Sequence, residues 1–162
     1  MRVRLVLIAS LLLVLLGGTG VARASLKIYE SSEAATLLGE VKKGKCKVKK
    51  TSSGRRTFHG GGKSTNGAYT LGVDIYGFKG FKREYQVPFG VINPTVNVES
   101  TAAGGPDYSN NYPFPGTPPP SAGAIAFGKG GAILGLGIYA LPNPDYSQGV
   151  VLAGHMKCIY PK

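Results

Sequence analysis

The chain has 162 residues and a formal net charge of +11, with 19 lysines and arginines against eight carboxylates. Its two histidines and scattered carboxylates show no H-x-x-x-H or D-x-D-x-D spacing, which excludes the usual sequence patterns of a metal site. No cofactor, metal ligand or catalytic residue is assigned from the sequence.

Met1 to Ala24 reads as an export signal. Arg2 and Arg4 form the positive start, Leu5 to Leu16 is apolar except for Ser10, and Ala22-Arg23-Ala24 supplies the small-residue cleavage pattern before Ser25. The apolar run is shorter than the roughly 20 residues a spanning helix needs, and Gly17, Gly18 and Gly20 follow it directly. Cleavage near Ala24 and release from the cytoplasm are the expectation, and no cysteine at the cut is there to carry a lipid. Removing 24 of the 162 residues leaves 138, a length suited to one domain over 25–162. The signal takes three basic residues and no acid, so 16 basic residues face eight acidic ones, a net +8.

In an oxidising compartment the two cysteines, Cys46 and Cys158, are expected to form a disulfide that closes most of the chain into one loop. A free thiol working with His59 or His155 would need reducing conditions.

Periodicity after the signal is that of strands. Leu26 to Tyr29 is the first. Ser31 to Gly39 is a candidate short helical turn, with Ser31 or Ser32 to cap it and Gly39 to stop it. Lys42 to Arg56 then carries eight basic residues, Lys42, Lys43, Lys45, Lys47, Lys49, Lys50, Arg55 and Arg56. Within it Cys46 and Val48 alternate with Lys45, Lys47 and Lys49, so an extended segment turns the apolar pair inward and the lysines outward.

His59-Gly60-Gly61-Gly62 reads as a hairpin connection leading to Lys63-Ser64-Thr65-Asn66-Gly67. The same glycines suggest a phosphate-binding loop, but Thr57 stands where that pattern requires glycine. They also match the oxyanion segment of some esterases, but no G-x-S-x-G accompanies them.

Tyr69, Leu71, Val73 and Ile75 alternate with polar or small residues as a half-buried strand does. Arg83 to Val87 and Val96 to Glu99 are further strands. Asp74 and Glu84 are expected on neighbouring strands, where a carboxylate pair of glycosidase type competes with surface ion pairing to Lys79, Lys82 and Arg83.

Residues 104–123 contain Pro106, Pro113, Pro115, Pro118, Pro119 and Pro120, which predicts a long extended loop outside any sheet ladder. Tyr108, Tyr112 and Phe114 on this loop are candidates for stacking on a ligand. Ala124 to Phe127 and Ala132 to Leu141 form a predicted hairpin turning at Gly128-Lys129-Gly130-Gly131, its glycines excluding a membrane helix. The last strand turns Val150, Leu152, Gly154, Met156 and Cys158 to one face, with His155 opposite.

Short strands separated by Gly, Pro, Asn and Ser clusters predict an all-β, single-domain antiparallel β-sandwich or partly open barrel. The function expected is non-enzymatic surface binding through the lysine row. An anionic polysaccharide, a cell-wall polymer or a membrane surface is the expected partner, and nucleic acid is the weakest polyanion candidate for an exported protein. Two alternatives remain: a secreted hydrolase whose residues leave no linear motif, and an envelope-associated structural protein using the glycine-rich hairpin.

Overall fold

The computed structural model describes residues 25–112 and 122–161. The signal segment and Phe114 lie outside the described residues. Within them the regular structure is all strand apart from one short 3-10 turn, and there is no α-helix. In chain order the strands are β1 (Leu26–Glu30), β2 (Leu37–Val41), β3 (Lys43–Lys50), β4 (Arg56–Lys63), β5 (Tyr69–Tyr76), β6 (Tyr85–Val87), β7 (Thr95–Ser100), β8 (Asp107–Ser109), β9 (Gly123–Phe127), β10 (Ile133–Pro142) and β11 (Gly149–Ile159).

They form one sheet in the order β6-β9-β10-β11-β3-β4-β5-β7-β8, with the β1–β2 hairpin attached to β11. The expected sandwich or partly open barrel is realised as a single curled, open sheet. Its pairings are antiparallel except for β11 with β3, which run parallel over Lys157↔Lys43 to Ile159↔Lys45.

β11 organises this arrangement by changing partner along its length. Its first half, Val150 to Gly154, pairs with β1, and its last residues pair with β3. The switch falls just after Gly154, whose φ of 109° suits glycine alone and whose Cβ, if present, would stand 2.6 Å from the Ser25 carbonyl oxygen. Cys158 then reaches Cys46 across the parallel pair, with Cα atoms 5.3 Å apart and 112 positions between them in sequence. Both cysteines are buried, as their alternation with lysines predicts.

The inner faces build one core from Leu26, Ile28, Leu71, Ile75, Leu134, Ile138, Leu152 and Met156, all almost fully buried. Each such side chain contributes roughly 1.5–3 kcal/mol on leaving water. The curl appears directly in the aromatic cluster. Phe58 of β4 lies 4.8 Å from Phe127 of β9, although β3, β11 and β10 separate those strands in the sheet. Phe78, Phe81 and Tyr85 complete the cluster from the connection into β6.

Several expectations need correction. Ser31 to Gly39 is a hairpin turn entering β2, closed by Glu30 N–H donating to the Thr36 carbonyl at 2.8 Å. A helix of that length is marginal in water, whereas pairing with β1 buries Val41 opposite Leu26. His59-Gly60-Gly61-Gly62 is the middle of β4 rather than a turn. These glycines are required by close approach: a Cβ on Gly60 would meet the Phe58 ring at 2.7 Å, and one on Gly62 the Lys43 carbonyl oxygen at 2.6 Å.

The proline-rich segment also joins the ladder at its start, since β8 pairs with β7 and buries Tyr108 opposite Val98. Pro106 precedes the paired residues and costs no ladder bond. Asp74 and Glu84 are not on neighbouring strands: β5 lies between β4 and β7, while Glu84 precedes β6, which pairs with β9. The predicted β9–β10 hairpin forms with its turn at Lys129–Gly131, and Leu134, Leu136 and Ile138 point into the core.

Candidate functional site

The outer face of β3 is the most distinctive surface. Gly44 and Cys46 are buried and Val48 is half-buried, while Lys43, Lys45, Lys47, Lys49 and Lys50 are exposed. Side chains on one face of a strand recur about every 6.6 Å, so Lys43 to Lys49 form a row about 20 Å long. Lys42 is exposed at its start, and its carbonyl accepts the Lys157 N–H at 3.0 Å.

Arg55 and Arg56 are exposed beyond the β3–β4 turn. The Arg56 guanidinium lies 5.5 Å from the centre of the Phe78 ring, which ties it to the aromatic cluster.

Tertiary structure enlarges this row. The parallel register sets Lys157 of β11 directly opposite Lys43. Like charges at paired positions destabilise a sheet, and among the described residues no carboxylate forms an ion pair with any of these lysines. The one ion pair given by the described residues is between His59 and Asp74.

His59 stands opposite Lys47 on one side and Asp74 on the other, so β3, β4 and β5 present Lys47, His59 and Asp74 as one cross-strand line. The His59 Nδ1–H donates to Asp74 Oδ1 at 2.5 Å, with the side chains 31% and 35% exposed. Nε2 has no partner among the described residues, leaving one imidazole nitrogen for an outside group. Sequence reading missed this pair because 15 positions separate its members and His59 was assigned to a turn.

Two residues along the same line the surface is low. Gly61 faces Gly72, and a Cβ on Gly72 would meet nothing within 4 Å. Beyond it the face turns acidic, with Glu99 on β7 and Asp107 on β8 both exposed.

A cleft of about 280 Å³ opens at the far end of β5, lined among others by Tyr76, Lys79, Arg83, Gln86 and Asn93. Its walls are held by specific bonds. The Asn93 side chain accepts from Tyr76 N–H at 2.8 Å and donates to Tyr76 C=O at 2.9 Å. The Tyr85 hydroxyl accepts the Lys79 N–H and donates to the Gly80 carbonyl. Asn110, fully buried, donates from Nδ2 to the carbonyls of Pro88, Val91 and Pro94, so the loop behind the cleft is pinned to the sheet. Tyr76 itself is 52% exposed.

Of the remaining sequence candidates Glu84 lines this cleft, and the others lie elsewhere. Tyr108 is 4% exposed and belongs to the core, so it is not displayed for stacking. Tyr112 is half-buried, and its hydroxyl is held above its ordinary range by burial and then by the carboxylates of Asp107 and Glu99. It therefore sits by the acidic end, four strands from β3. His155 is half-buried on the face opposite Met156, and Glu84 accepts from Gln86. Among the described residues no cluster of three or more His, Cys, Asp or Glu is placed to hold a metal ion.

The chain matches no protein-family model, no curated protein and no solved structure. The disulfide indicates an oxidising compartment. No helix among the described residues is long and apolar enough to cross a membrane.

Proposed function

We propose that this chain is exported by its signal segment, cleaved near Ala24, and acts as a single-domain, non-enzymatic binding protein that holds an anionic polymer or surface on the outer face of β3. The observation that carries the reading is the row Lys43, Lys45, Lys47 and Lys49, extended by Lys157 and free of carboxylate partners among the described residues. Gathering unneutralised lysines costs stability through mutual repulsion, and a polyanion removes that cost on binding.

Lysines also keep an open strand edge from pairing with other chains, and that role suits Lys47, Lys49 and Lys50, which lie beyond the segment paired to β11. It does not account for Lys43 and Lys45, which β11 already pairs, or for Lys157 within β11. Binding accounts for all of them. The test is retention on an anionic matrix, which is expected to fall with added salt as screening shortens to about 8 Å near physiological ionic strength. It is also expected to drop sharply when Lys45, Lys47, Lys49 and Lys50 become glutamine. Equal retention of that variant removes the site.

A second reading is favoured by the His59–Asp74 bond. An imidazole oriented by a carboxylate through Nδ1, with Nε2 free, is the arrangement of a general base. Among the described residues no nucleophile or second acid bonds to this imidazole, so a hydrolase would have to act through water. Turnover of an anionic polysaccharide by the protein, lost in His59→Gln, would establish it. Unchanged polymer length after long incubation excludes it.

A further inference from the structure

We infer that the cleft beside Tyr76 seats a sugar ring, so that the polyanion taken by the basic face is an acidic polysaccharide. This rests on the reading of the β3 face given above. The link between the two surfaces is the cross-strand line Lys49, Thr57, Tyr76, which places Tyr76 on the lysine-bearing outer face two strands from Lys49. Two strand spacings are about 10 Å, so one ligand spans both.

The chemistry of the cleft separates polyanions that the lysine row alone does not. Lysines on a strand are point charges and accept phosphate, sulfate or carboxylate from any carrier. The cleft adds a half-exposed aromatic ring at its rim, which offers a flat apolar face to a pyranose. It also adds the Arg83 guanidinium and the Lys79 ammonium beside the Glu84 carboxylate, one net positive charge, and the guanidinium pairs bidentately with a carboxylate or sulfate.

Its volume of about 280 Å³ lies near the lower limit of small-molecule sites, enough for one ring rather than a folded oligomer. The bonds from Asn93 hold the backbone of Tyr76 and do not involve its ring, so removing the ring leaves those bonds in place. An acyclic phospholipid headgroup such as phosphatidylglycerol, or a polyphosphate, has no ring to lay on Tyr76 and gains nothing from it.

The experiment compares the protein with Tyr76→Ala, Tyr76→Phe, Arg83→Gln and the triple variant Lys45→Gln, Lys47→Gln, Lys49→Gln. The probes are heparin, inorganic polyphosphate and vesicles of anionic phospholipid. Tyr76→Ala is expected to weaken heparin binding roughly tenfold, the scale of one lost stacking contact, and to leave polyphosphate binding unchanged. Tyr76→Phe keeps the stacking face and should bind heparin as the wild type does. Arg83→Gln should weaken heparin binding by roughly threefold to tenfold, a lost charge-assisted hydrogen bond. The triple variant should lose both heparin and polyphosphate.

If Tyr76→Ala and Arg83→Gln bind heparin like the wild type while the triple variant fails, the cleft inference falls and the basic-face reading stands. Wild-type binding to vesicles but not to heparin also overturns the inference. Failure of the wild type to bind any of the three probes, or wild-type binding by the triple variant, overturns the basic-face reading and the inference together.

Discussion

The outer faces of β3 and β10 differ sharply, although their inner faces share one core. β3 shows lysine at every outward position from Lys43 to Lys49, whereas β10 shows Ile133, Gly135, Gly137 and Tyr139, next to Ala124 and Ala126 of β9 and Ala153 of β11. β10 is paired on both sides from Leu134 to Ile138, so its backbone groups there are satisfied and small residues let its neighbours lie flat. β3 is paired on both sides only near its start. The contrast teaches that burial decides one face of each strand, while the other face is left free to differ with what surrounds it. On β3 the charge continues into the doubly paired segment, where pairing no longer explains it.

The disulfide ties β3 to β11, the neighbour of β10, and the aromatic cluster ties β4, the neighbour of β3, to β9, and the largest expected effects come from cutting those links. Replacing Cys46 and Cys158 with serine should lower the free energy of unfolding by about 4–5 kcal/mol on the loop-entropy account. A urea titration showing a loss under about 1 kcal/mol would mean that the regions are joined by packing alone. Phe58→Ala should cost about 3–5 kcal/mol by opening a cavity between β4 and β9. If its cost matches that of an exposed substitution, the cluster does not sustain the curl.

Smaller effects test the faces themselves. Lys157→Gln relieves the repulsion with Lys43 and should raise stability by about 0.5 kcal/mol at low salt, a gain that shrinks at high salt. Unfolding midpoints measured at both ionic strengths decide this, and a loss of stability would show that the lysines do not repel. The same variant should weaken retention on an anionic matrix, so stability and binding move in opposite directions.

The smallest effect belongs to the turn before β11, where Asp145 Oδ1 accepts from the Ser147 N–H and hydroxyl. The side-chain bond from Ser147, and then its backbone bond, hold the Asp145 carboxyl below its ordinary value of 3.8. A depressed folded-state value means the stabilisation is present above 3.8 and is lost as pH falls through the lower value. Asp145→Asn should therefore remove a small part of the acid sensitivity and leave behaviour at neutral pH nearly unchanged. Identical acid midpoints in thermal melts would contradict this, and a change in polyanion binding would contradict the separation of this turn from the site.

Alternation alone made β3, β5, β10 and β11 legible, together with the inward placement of both cysteines, because side chains one residue apart must point to opposite faces. It also identified the lysine row. It failed at His59 to Gly62, where glycine was taken as punctuation although the true requirement was room for Phe58 and for neighbouring backbone. It failed at Tyr108, where proline content hid a short strand.

Composition and periodicity by themselves determined an all-β chain, a pair of cysteines on inward faces, and a basic segment on one strand. Those properties are local and follow from side-chain polarity and the two-residue repeat. Only the tertiary structure decided that the sheet curls without closing, that Lys157 joins the lysines, that Asp74 bonds His59, and that Tyr76 stands between the basic row and a cleft. Each of these depends on which strands become neighbours, and that choice belongs to the packing of the whole core, to which no single segment holds the information.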